Sequence, residues 1–187
     1  MAGLQEIAAR VQNAPVATFH ATLVRCVGII PLTAGGTLDF LFASGRANRF
    51  NPAGVACVYF SEDEKTARAE YARRLGLAGR QPVGTFFAET RLNKVLDLAN
   101  PKTCVVLGLS VKDLRVAWPL ARRPTLTQLL GFALTQQTDI SAVRFASDAA
   151  RANGFTGFNI VIFRDCVRSP DYVKILGATK KPLDQWP

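Results

Sequence analysis
The chain has 187 residues, 49% of them hydrophobic and 20% charged, which suits one domain with a buried core and excludes a disordered chain. No apolar run approaches the roughly 18 residues of a membrane-crossing helix, so a helical span is excluded. The net charge of +9 comes from 16 Arg and 7 Lys that are scattered, with Arg73-Arg74 and Arg122-Arg123 the nearest thing to clusters and no nucleic-acid motif beside them.

Such an arginine excess fits fork-like gripping of the phosphates of a small anion, and direct nucleic-acid binding is not expected. The first stretch, MAGLQEIAARVQNAP, lacks a basic-then-apolar signal pattern and predicts a short amphipathic helix, with the cytoplasm as expected compartment. Residues 21–30, ATLVRCVGII, predict a strand interrupted by one charge, Arg25. PLTAGGTLDFLFASG predicts a Gly-rich loop with a short apolar insert. RANRFNPAG predicts a turn and VACVYF a short strand. A helix is expected to begin at Ser61, because Ser61 and Glu64 have capping-box spacing and Glu62 and Asp63 suit a positive helix N-terminus. It should run to about Leu75, before Gly76 and Gly79.

Downstream, VGTFFAETRL predicts a strand, and KVLDLAN a strand plus turn closed by Pro101. TCVVLGLS is open between strand and buried helix. LTQLLGFALTQQ predicts an amphipathic helix, SAVRFAS a strand, DAARANGFTG a loop with one helical turn, and FNIVIFRD a strong strand. VKILG predicts a last short strand, and TKKPLDQWP a tail. The expectation is one α+β domain over residues 1–187, sheet-rich at its centre.

Cys26, Cys57, Cys104 and Cys166 are widely spaced in apolar surroundings, and His20 is the only histidine. No metal-ligand spacing is present, so buried free thiols and no metal site are expected. His20 has two readings, catalytic base or structural residue.

Two features stand out chemically. On the helix of residues 61–75, Ala67, Tyr71, Arg74 and Leu75 share one face, and Glu70 flanks it. A carboxylate there either pairs with Arg73 or Arg74 in solvent or joins a polar pocket, where burial requires a partner. Upstream, RANRF holds Arg46 and Arg49 three residues apart in a tight turn, where two guanidiniums can grip a diphosphate. Arg25, alone in an apolar strand, would balance an inward Glu70.

The order LVRCV, GRANRFNPAGVACVYFSEDEKTARAE, AVRFAS and GFNIVIFRD resembles the RES-domain family, toxins of bacterial RES/Xre-type toxin–antitoxin pairs, over about residues 20–176. The family's first arginine falls on Arg25. Its Gly-Arg-aromatic-Asn-Pro element matches Arg49, Phe50, Asn51 and Pro52, with its following tyrosine at Tyr59. Its glutamate falls on Glu70, and its strand-end serine on Ser147. Val24 stands where tyrosine is common and Ala146 where proline is usual. RANRF also carries extra residues, so Arg46 and Arg49 compete for one role.

The resemblance implies an ADP-ribosyltransferase-like fold with a central, mostly antiparallel sheet. It implies a toxin that cleaves NAD+ at the nicotinamide–ribose bond, NAD+ being consumed as substrate with no cofactor. The ADP-ribose would pass to phosphate or water or, alternatively, to a host protein. Glu70 would stabilise the cationic ribose, Arg25 and Arg46 or Arg49 would hold phosphates, and Tyr59 would stack on nicotinamide or pack in the sheet. Ser147 would bond the ribose or the nicotinamide amide, or cap the DAARAN segment. A cognate antitoxin that blocks the NAD pocket is the implied partner. A basic, non-catalytic nucleic-acid-binding module is the competing reading from another class.

Overall fold
The computed structural model describes residues 3–28, 45–75, 83–177 and 182–187. Seven strands form one sheet: β1 Val16–Gly28, β2 Cys57–Ser61, β3 Val83–Asp97, β4 Ala142–Ala146, β5 Phe158–Phe163, β6 Tyr172–Leu176 and β7 Pro182–Trp186. The helices are α1 Leu4–Gln12, α2 Glu64–Leu75, α3 Pro101–Leu107, α4 Val111–Leu114, α5 Leu126–Gln137 and α6 Asp148–Ala152. This is the α+β domain with a mostly antiparallel sheet that was expected, β3 with β4 being the one parallel pair among these strands. The Gly-rich loop expected from Pro31 lies, up to residue 44, outside the described residues, as do Gly76 and Gly79.

The strand order is β1-β2-β5-β4-β3-β6-β7, and β1 also pairs with β3. That extra pairing closes five strands into a ring, β1-β2-β5-β4-β3, from which β6 and β7 branch. On the edge away from β1, β3 pairs first with β6 over Phe87–Arg91, then with β4 over Val95–Asp97. Asp171, 8% exposed, fills the fork: its carboxylate accepts from the Asn93 N–H at 2.9 Å and the Ser141 hydroxyl at 3.1 Å.

Alternation along the strands makes two cores. One is drawn from all seven strands, with Leu23, Phe60, Leu92, Ala142, Ile160, Ile175 and Trp186 among its members. The other lies between the opposite strand faces and the helices, and joins Val161 and Phe163 to Ile7, Val11, Leu107, Leu130 and Leu134. β5 is therefore covered on both sides, as its nearly unbroken apolar sequence requires.

Local chemistry sets the helix ends. Asn100 caps α3, Pro101 occupies its first turn, and Gly108 at φ +65° stops it, so TCVVLGLS resolves as helix. Thr125 and Gln128 form a capping box on α5. Three expectations differ from the fold. Ser61 ends β2 and does not start α2, whose first turn is bound by Asp63, accepting from the Thr66 N–H and hydroxyl, each at 2.7 Å. VGTFFAETRL and KVLDLAN are one continuous strand, because β1 pairs along nearly all of it. The tail contains β7, held on β6 and pinned by Trp186, which is 9% exposed.

Candidate functional site
Glu70 sits on α2, half-buried, and points at the joint between β4, α6 and β5. Its Oε1 accepts the Ser147 hydroxyl at 2.6 Å and the Asn159 side-chain amide at 2.7 Å. Among the described residues Glu70 makes no ion pair, and Arg73 and Arg74 are exposed. Two neutral donors orient a carboxylate without cancelling its charge, which a guanidinium partner would do. Ser147 is 3% exposed, and its oxygen also accepts the Ala150 N–H at 3.0 Å, capping α6. The expected cap and the expected site serine are therefore one hydroxyl.

Close packing makes this contact possible. Gly157, just before β5, lies against α2 and α6: a Cβ there would stand 2.2 Å from Thr66 Oγ1 and 2.9 Å from Ala150 Cβ. The Gly157 carbonyl also accepts the Ser147 N–H at 2.8 Å. The N-terminal end of α2 is fixed by Arg144 of β4, whose Nε donates to Glu62 Oε1 at 2.5 Å and whose Nη1 reaches Asp97 at 3.1 Å.

Arg25 lies on β1, and burial, with the like charge of Arg74 second, lowers its guanidinium from 12.5 to about 10. It is protonated at neutral pH. α2 packs against β1, and Arg74, whose charge acts on Arg25, stands one turn beyond Glu70 on that helix. Burial and, next, Cys57 raise the Tyr59 phenol well above its usual value, while burial pushes the Cys57 thiol up to about 12. Neither is a nucleophile at neutral pH.

The two turn arginines separate. Arg49 is half-buried, forms an ion pair with Asp148 at 2.8 Å and lies 5.9 Å from the centre of the Phe145 ring. Asp148 follows Ser147, so Arg49 is at the site's flank. The side chain of Arg46 is exposed, and its carbonyl accepts from Asn51 Nδ2 at 2.7 Å. Tyr59 organises this turn: its hydroxyl donates to Asn51 Oδ1 at 3.0 Å and accepts the Phe50 N–H at 2.9 Å. Gly131 lets α5 press on the same turn, where a Cβ would meet the Phe50 carbonyl oxygen at 1.7 Å.

Sequence reasoning missed Asn159, Ser61 and Asp148. The signal for Asn159 was its polarity inside FNIVIF, a strand otherwise apolar. His20 is exposed on β1 opposite Arg91, and it shares no hydrogen bond with the Glu70 cluster. Of the four thiols, Cys57 and Cys166 are buried and Cys26 and Cys104 half-buried, and no metal-binding group of side chains occurs among the described residues. An apolar hollow lined by Ile7, Arg10, Leu107 and Leu130 shares none of the site's residues.

A family model described as the RES domain matches residues 30–183, which includes Glu70, Ser147 and Asn159 and begins five positions after Arg25. No curated protein matches the sequence. Among solved structures, the crystal structure of the M. tuberculosis MbcT-MbcA toxin-antitoxin complex contains a chain of similar fold. The TM-score is 0.65 at 16% identity, over 94% of this chain and 92% of that one.

Proposed function
Because this chain belongs to the RES domain family, we propose that it is the toxin of a toxin–antitoxin pair and acts by cleaving NAD+ between nicotinamide and ribose. The observation that carries the reading is Glu70, a carboxylate held by two neutral donors on a single oxygen. In this cleavage the C1′–N bond breaks, its electron pair leaves with nicotinamide, and positive charge grows on the ribose. A fixed, uncancelled carboxylate beside C1′ stabilises that charge more than it stabilises bound NAD+, which is the condition for faster turnover. An oxygen of phosphate then bonds to C1′ to give an ADP-ribose phosphate; with water the product is ADP-ribose and a proton.

Arg25, on the strand against which α2 packs, supplies a lasting positive charge suited to pyrophosphate or to an acceptor phosphate. Arg49 and Arg46 stand at the flank, where Arg49 reaches phosphate by leaving Asp148 or acts through it. NAD+ is consumed as substrate, and no cofactor takes part. The partner is an antitoxin that covers the site, and a surface of net charge +9 suits an acidic one. No helix among the described residues is long and apolar enough to cross a membrane, and cytoplasmic action on cellular NAD+ fits that.

The test is incubation of purified protein with NAD+, with and without phosphate. Nicotinamide released only with phosphate identifies a phosphorylase, and release in both a glycohydrolase. Labelled NAD+ in a lysate separates the remaining possibility, since a discrete labelled protein band marks transfer to a host protein. Absence of nicotinamide in every arm overturns the reading.

A further inference from the structure
Asn159 and Ser61 face each other across β5 and β2 as register partners, buried at 6% and 4% exposure. Such a buried pair of short polar side chains, in strands otherwise built of apolar and aromatic residues and a thiol, serves some polar task. The Ser61 hydroxyl lies 2.7 Å from Asn159 Oδ1, and Asn159 Nδ2 lies 2.7 Å from Glu70 Oε1. The direction of this relay follows from chemistry. An ionised carboxylate only accepts, so the side of Asn159 that faces Glu70 is its NH2; its oxygen therefore faces Ser61, which donates. We infer that Asn159, held by Ser61, is a positioning residue that fixes the rotamer of Glu70 and decides which carboxylate oxygen meets the substrate.

Ser147 and Asn159 converge on Oε1 from different elements, one at the end of β4 and one within β5. Oε1 is thereby engaged by the protein, and Oε2, which takes no hydrogen bond among the described residues, is the oxygen left to meet the charge of the reacting ribose. Ser147 alone does not define the carboxylate plane, because one donor leaves rotation about the bond between Glu70 and the hydroxyl. The second donor removes that freedom. Outer donors that orient the ligands of a metal centre carry roughly 10–100-fold of activity, and a donor that orients Glu70 is expected to act on the same scale.

This inference rests on the NAD+-cleaving reading, and the test separates the two. Nicotinamide release is measured as kcat and KM for wild type, Asn159→Ala, Asn159→Asp and Ser61→Ala, with melting temperature on each sample. The expected result is a kcat roughly 10–100-fold lower for Asn159→Ala, with KM for NAD+ within about threefold of wild type. Asn159→Asp sets a second carboxylate against Glu70 at neutral pH; protonated, it regains a donor, so its activity relative to wild type rises as pH falls. Ser61→Ala lowers kcat by a smaller factor. An Asn159→Ala kcat within threefold of an active wild type, or an Asn159→Asp pH profile parallel to wild type, overturns the inference and leaves the reading intact. An inert wild type overturns both. Where Asn159→Ala does not fold, the Asp profile and Ser61→Ala decide by the same criteria.

Discussion

Glu70 is the residue at which orientation and charge are joined, and its substitution by Gln separates them. Gln fits the helix as well as Glu and still accepts both donors on Oε1, so stability should change by about 1 kcal/mol or less, while NAD+ turnover falls by orders of magnitude. Nicotinamide release and melting temperature on one sample check this; a stable, fully active variant removes Glu70 from the chemistry. Tyr59 presents the opposite case. Its hydroxyl satisfies the buried Phe50 N–H and holds Asn51, so Tyr59→Phe orphans a donor. The expected cost is about 1–3 kcal/mol, or a melting temperature lower by roughly 2–12 °C, with kcat within a few-fold of wild type. A collapsed kcat at unchanged melting temperature would instead make Tyr59 a substrate contact.

Between elements, the decisive contact is the seam of α2 with α6 and β5, which is as narrow as Gly157 allows. Gly157→Ala forces a methyl group to within 2.2 Å of Thr66 Oγ1, so α2 must move or tilt. A destabilisation of about 1–3 kcal/mol is expected. Activity should fall further than the folded fraction does, because the shift separates Glu70 from Ser147. Thermal melts combined with activity per folded molecule measure the difference, and activity that simply tracks the folded fraction would show that the seam does not set the site. The seam also shows why the capping box at Ser61 was misleading. Ser61 and Glu64 have the right spacing, but spacing says nothing of Asn159, nearly a hundred positions away, which engages the hydroxyl first. Asp63 then binds the first turn of α2 in its place.

For the whole molecule, the ring of strands and the distribution of charge matter most. Many arginines are already engaged: Arg49 with Asp148, Arg68 with Glu64, and Arg144 with Glu62 and Asp97. The basic excess is thus broken up, and binding to oligonucleotides should be no tighter than the non-specific range of roughly 10⁻⁴–10⁻⁶ M at physiological salt, vanishing as salt rises. Mobility shifts across a salt series test this, and tight, sequence-dependent binding would revive the nucleic-acid module. The sheet-centred α+β class was legible because β2, β4 and β5 are bounded apolar runs. Glu70 and Ser147 were legible through an ordered pattern of motifs. Ring closure was not, since it depends on β1 meeting β3 over a long sequence separation. Asn93 and Lys94, two polar residues in succession after Leu92, break the apolar alternation of β3, so one strand read as two. Asn159 escaped for the same reason as the ring: its meaning comes entirely from partners distant along the chain.

The double use of the Ser147 hydroxyl has a genetic consequence. In cells where this chain is harmful, survivors arise by mutations that silence it, and those mutations fall into two kinds. On the proposed reading, loss of the Glu70 carboxylate should remove activity but leave a folded protein, still able to occupy the proposed antitoxin and so to disturb the balance of any intact copy. Loss of Ser147 removes the α6 cap and the Glu70 donor together, which lowers both activity and the amount of protein. Sequencing survivors and blotting for the protein should therefore sort them by residue: substitutions at Glu70 with full-length protein at normal abundance, and substitutions at Ser147 with the protein depleted.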